Sequence, residues 1–122
     1  MDNINIIGVY SVKDNSDVHL IEVDVLLRED DFDVGGFSQE DSSLSRDLWQ
    51  VAYDEHYLNS EGTEVIEEPE EFKSGQRLRM AFFFYFLDFS KVLITPYGSF
   101  EIPKSVTMPD RLSRIVKFEP PD

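Results

Sequence analysis

Apolar and polar positions along this chain change places with a period near two, in runs too short and too rich in β-branched residues for helices. The run INIIGVYSV (residues 4–12) ends at the turn-forming cluster KDNSD. In VHLIEVDVLL (residues 18–27), His19, Ile21, Val23, Val25 and Leu27 share one parity and are almost wholly apolar. The other parity, Val18, Leu20, Glu22, Asp24 and Leu26, is mixed. This is the pattern of a strand with one buried face. Alternation resumes in LWQVAYDEHYLN (residues 48–59), with Trp49, Val51 and Tyr53 on one side; Trp49, Tyr53 and Tyr57 also recur every four residues, so a helix competes with the strand there. NSEG then makes a turn from which TEVIEE can pair back as a hairpin.

The segment RLRMAFFFYFLD (residues 77–88) departs from simple alternation. It begins amphipathic and becomes apolar on both parities, which is how a strand covered on both faces reads, so it is the expected centre of the main sheet. VLITPYGSFEIP supplies a strand, a PYGS turn and a short return, and RLSRIVKFEP (residues 111–120) is a candidate last strand of irregular pattern. About seven short strands with polar turns and little helix predict an all-β or β-rich α+β fold, as one antiparallel β-sandwich or open barrel. Residues 1–122 read as a single domain, with acidic loops near 28–47 and 66–75.

Charge changes this picture. Residues 1–72 carry 20 Asp and Glu against 3 Lys and Arg, whereas residues 73–122 carry 5 against 8, so −17 and +3 sum to the net −14. Hydrophobic residues at 41% are too many for a disordered chain of this charge. An acidic first half repels nucleic acid and anionic membrane and speeds encounter with basic partners, although solubility alone also accounts for it. The apolar run at 80–87 is far shorter than the roughly 20 residues that span a bilayer. The start MDNINIIGVY places an acid where a secretory signal needs basic residues, and there is no cysteine. Both fit a soluble protein of a reducing cytoplasm.

Candidate chemistry is sparse. DFDVGGFSQEDS (residues 31–42) places Asp31, Asp33 and Gly36 at positions 1, 3 and 6 of a calcium loop. Gly35 and Ser42 stand where two further ligands belong, and a solvated acidic loop is the better reading. The two histidines are His19, in a strand, and His56, between acids in YDEHY. Without a GxSxG elbow or a cysteine, neither belongs to a recognisable triad. VGGF lacks the Lys and Ser of a phosphate loop. The sequence therefore predicts no enzyme, no metal and no cofactor. Arg77 and Arg79 read as the solvated or ion-paired start of the central strand, and Trp49 as core. Tyr57 is open between core and surface.

DLWQVAYDEHYLNSEGTEV, FFFYFLDFSKVLITPYG with FEIP, and the closing FEPPD resemble a group of small acidic bacterial proteins of uncharacterised function. That group shares a tryptophan-centred strand, a Phe-rich strand and a Pro-rich end, and the resemblance covers roughly residues 47–122. In size, acidity and lack of catalytic motifs the chain is also similar to the immunity proteins of bacterial toxin systems. That likeness implies a protein that neutralises a cognate toxin by binding it, and it transfers no functional residue. The acidity and the lack of catalytic motifs lead to the expectation of a non-enzymatic inhibitor that covers a basic toxin, such as a nuclease, using carboxylates of the loops at 29–41 and 54–71. Asp30, Asp31, Asp33, Asp54, Glu55, Glu61 and Glu64 are the expected contacts, with Tyr57 as an aromatic anchor. The competing expectation is a β domain binding a small ligand or carbohydrate on Trp49 and Tyr53.

Overall fold

The computed structural model describes residues 3–30, 36–39 and 50–119, and the β-rich class expected from the sequence is the one it shows. Among the described residues, ten strands form two sheets. β1 (Ile4–Val12) and β2 (Asn15–Leu26) make a long hairpin whose turn uses Asp14 at φ 64°. An aspartate tolerates this left-handed conformation better than most residues. β3 (Ser38–Gln39), β4 (Gln50–Val51), β5 (Tyr53–Leu58) and β6 (Val65–Ile66) follow. β7 (Arg77–Tyr85), β8 (Leu93–Thr95), β9 (Gly98–Phe100) and β10 (Val106–Thr107) complete the strands, and α1 (Asp110–Ser113) is one helical turn.

The larger sheet has the order β10-β1-β2-β7-β5-β6 and the smaller β4-β3-β8-β9. β7 lies between β2 and β5, paired without interruption from Val18↔Tyr85 to Leu26↔Arg77. Its consecutive phenylalanines therefore point alternately to opposite faces. Phe82 and Phe84, with Met80, enter a core shared with Phe37 and Leu93, which come from the smaller-sheet side; the Phe37 and Phe82 rings are 4.7 Å apart. Phe83 enters a second core on the other face, 5.3 Å from the ring of Phe118. Covering both faces is what allows an uninterrupted aromatic run in an acidic chain.

Three expectations change. β2 is buried on both faces, because the C-terminal segment packs Leu112 and Val116 against Val18 and Leu20. That segment is a turn of helix instead of a last strand. Leu112 and Val116 stand four apart on one side, and Pro109 at the N-cap blocks continuation of β10. The antiparallel pattern has one exception, since β10 runs parallel to β1 at the sheet edge. The hairpin of β5 with β6 and the β8–β9 return form as expected, and residues 53–58 are strand, not helix. Trp49 lies outside the described residues.

Candidate functional site

Every glutamate between residues 59 and 71 is exposed: Glu61, Glu64, Glu67, Glu68, Glu70 and Glu71, with no lysine or arginine among them. The stretch spans the tip of the β5–β6 hairpin, the edge strand β6 and the connection toward β7. Val65 and Ile66 sit among these acids, 43% and 44% exposed. An edge strand leaves backbone groups open to pairing, and here two uncovered apolar side chains lie in a negative field set by the surrounding carboxylates.

The expected contact residues divide around this edge. Leu26 and Leu58 pair with Arg77 and Arg79, so the loops after β2 and β5 emerge at one end of the sheet. Asp30, Glu61 and Glu64 belong to that end. Asp30 is already engaged, accepting the Ser74 N–H at 2.7 Å while Ser74 Oγ donates to the Arg28 carbonyl. Asp54 and Glu55 lie three to four residues back along β5, about 10–13 Å away, in a bulge where Asp54 takes φ 54°. The Asp54 carbonyl is 2.8 Å from His56 Nδ1. Tyr57 is half-buried against the inter-sheet core, near Phe72, with its hydroxyl donating to Glu68 at 3.3 Å. It supports the acidic edge from behind. Tyr53 is half-buried, packs on Tyr85 and donates to the Glu119 carbonyl. Asp31 and Asp33 lie outside the described residues. Among the described residues no three histidine or carboxylate side chains converge as metal ligands would.

What the sequence did not disclose is how the acidic hairpin tip is held. Glu22, in the middle of β2, is fully buried. Its strand neighbours are Gly8 and Ala81, and a Cβ on Gly8 would run into the Tyr10 ring. The space so left admits four donors. Glu22 Oε1 accepts the Tyr10 hydroxyl at 2.9 Å and Arg111 Nη2 at 2.7 Å; Oε2 accepts Arg79 Nε at 2.9 Å and Arg111 Nη1 at 2.8 Å. Burial pushes the Glu22 carboxyl pKa up, but the bonds from Arg111, Arg79 and Tyr10 outweigh it and hold it below the ordinary glutamate value. Burial, aided by the Glu22 bond, raises the Tyr10 hydroxyl, and Glu22 raises Arg111 against its own partial burial.

Both guanidiniums reach beyond Glu22 to the hairpin tip. Arg79 Nη1 donates to the Ser60 carbonyl at 2.7 Å and Arg111 Nη1 to the Gly62 carbonyl at 3.1 Å. The backbone comes so close that an added Cβ at 62 would stand 2.6 Å from Arg111 Nη1, and with φ at +69° any other residue would strain the turn and displace the clamp. Glu61 is thus presented by a turn clamped from beneath by two arginines. Beside the clamp, a groove of about 460 Å³ runs over Asn5, Asp24 and Arg77, with Arg77 paired to Asp24 at 2.9 Å.

Signals for the clamp exist in the sequence only as single letters: an acid inside a hydrophobic strand, and Arg79 two residues into the central one. Their meeting depends on register, and Arg111 comes from 89 residues away. No protein-family model, no curated protein and no solved structure matches this chain.

Proposed function

We propose that this protein is a non-enzymatic binding protein, an inhibitor of the immunity type that neutralises a basic toxin, such as a nuclease, by covering its cationic active surface. The observation that carries the reading is the clamped, lysine- and arginine-free edge of residues 59–71, six exposed glutamates around the uncovered Val65 and Ile66. The carboxylates would steer the encounter and occupy basic residues of the partner, while the apolar pair supplies contact area. The reading sets this action in the cytoplasm, which the absence of cysteine suits. Among the described residues no helix is long and apolar enough to cross a membrane.

The test is affinity capture from the native host, followed by stopped-flow association with the purified partner. The expected partner is basic, inhibited when bound, and associates with a rate falling roughly 10- to 1000-fold as salt rises. Replacing the six glutamates with glutamine lowers the association rate while leaving the melting temperature in place. A salt-insensitive rate, or a partner without a basic surface, refutes the reading.

A further inference from the structure

At the opposite end of the central strand, β7 leaves the sheet through Phe86. This residue has φ 53° and is 63% exposed. A bulky side chain in the left-handed region costs free energy that glycine would avoid, and exposure means that no core packing compensates for it. Its N–H donates to the Asp17 carbonyl at 2.8 Å, extending the β2–β7 ladder by one bond. Phe89, 41% exposed, stands edge-on to His19 at 5.1 Å. Phe86, Phe89, His19, Asp17 and Asp88 line an open recess of about 440 Å³.

The recess is held in shape from behind. Gln39 is almost fully buried; its Nε2 donates to the carbonyls of Asp88 and Val92 at 3.0 and 3.3 Å, and its Oε1 accepts the Asp88 N–H at 2.9 Å. The Asp88 carboxylate accepts from Ser90 and stands 3.9 Å from Lys91. The Asp17 side chain has no ion-pair partner among the described residues. His19 Nδ1 is buried without a hydrogen-bond partner, and burial lowers the pKa of the ring, which favours the neutral form beside a cation.

Two exposed aromatic rings beside two carboxylates suit a cation that is flat, weakly hydrated and able to fork onto oxygen. We propose that this recess receives one arginine side chain of a basic protein partner, its guanidinium stacked on Phe86 and Phe89 and paired with Asp17, with Asp88 adding to the field. The inference rests on the reading of the protein as a binder of cationic proteins for the source of the arginine. It provides a second anchor, distant from the acidic edge. The recess is shallow, which suits a side chain projecting from a macromolecule better than an engulfed small molecule.

The site is testable without the partner. In a ¹H–¹⁵N correlation titration of the full chain, N-acetyl-arginine amide should give saturable shifts at residues 17–19 and 86–89, with a dissociation constant on the order of millimolar. N-acetyl-citrulline amide, the neutral isostere, should bind at least about tenfold more weakly, the loss of a charge-assisted pair. Phe86→Gly should abolish these shifts while the melting temperature stays level or rises, because glycine relieves the backbone. Should that variant fold poorly, Phe89→Leu provides the same readout. Shifts that do not saturate, equal response to citrulline, equal binding of N-acetyl-lysine amide, or binding retained by both variants overturns the assignment. A salt-steered partner lost on neutralising residues 59–71, together with a silent arginine titration, would sink this inference alone. A positive titration with no basic partner captured would sink only the proposed function.

Discussion

Glu22→Gln removes one charge from the best-buried polar group of the described residues and leaves its shape nearly intact. Arg79 and Arg111 would then face each other across a neutral amide, which can accept through one atom where the carboxylate accepted through two. Breaking a buried ion pair by removing one partner costs about 3–5 kcal/mol. The side chains of Arg79 and Arg111 are 18% and 30% exposed, so both guanidiniums retain some access to water and the lower figure applies. With an unfolding entropy near 2.1 cal/mol/K per residue, a loss of about 3 kcal/mol lowers the melting temperature of a chain this size by roughly 12 °C. In urea, with a slope of about 1.5 kcal/mol/M, the midpoint falls by about 2 M. Acid narrows the gap. The folded-state pKa of Glu22 is depressed, so its contribution is fully present above the unfolded value near 4.5 and is lost as pH falls through the lower folded value. Parent and variant should converge there. A double cycle with Arg111→Met should show coupling of at least 1 kcal/mol, the order found for residues sharing one network. If Glu22→Gln costs less than about 1 kcal/mol at neutral pH, or the cycle is additive, the clamp does not hold the hairpin tip and the account of the acidic edge fails with it.

Gly62→Ala should destabilise by about 1–3 kcal/mol, since the new Cβ meets Arg111, Arg79 and Glu22 at a positive φ; equilibrium unfolding gives the value, and exchange of the residue 60–64 amides should quicken with it. His19 has a folded-state pKa depressed by burial, so its contribution is complete above the unfolded value near 6.5 and fades as pH falls toward the lower folded value; His19→Phe should flatten the melting temperature between pH 7.5 and 5. Gln39→Ala should cost about 1–3 kcal/mol and expose the Asp88 amide to exchange, because Gln39 Oε1 is its acceptor. Phe83→Ala should cost about 3–5 kcal/mol by opening a cavity beneath Phe118, against little for Phe86→Ala, which removes only an exposed ring.

The strand segments were legible because burial on a pleated surface imposes a period of two wherever one face meets a core. Residues 4–12 form a strand, as their β-branched richness predicted, and 77–85 form one within the aromatic segment 77–88. The both-faces character of the Phe run identified β7 as central before any coordinate did. The same logic misjudged β2. Glu22 and Asp24 made one parity look solvated, and nothing local distinguishes a carboxylate bound for water from one bound for two arginines. The irregular spacing of residues 111–120 hid a single helical turn, too short for a 3.6-residue period to show itself. Of the candidate contacts, the glutamates of 59–71 were visible as composition, while the packing of Tyr57 against the inter-sheet core and the place of the exposed Asp54 at a bulge farther back along β5 were not.

By itself, then, the sequence determined the β class, the centrality of the aromatic strand, the hairpins and the unequal division of charge. All of these follow from side-chain polarity at near neighbours. The tertiary structure alone decided the clamp, the parallel edge strand, the second buried face and the Phe86 recess. Each depends on register and on residues remote in the chain, such as Glu22 with Arg111 or Gln39 with Asp88. A buried charge is tolerable only when its counter-charges arrive in the right geometry, and that condition is met by the folded backbone and not by any stretch of the chain read alone.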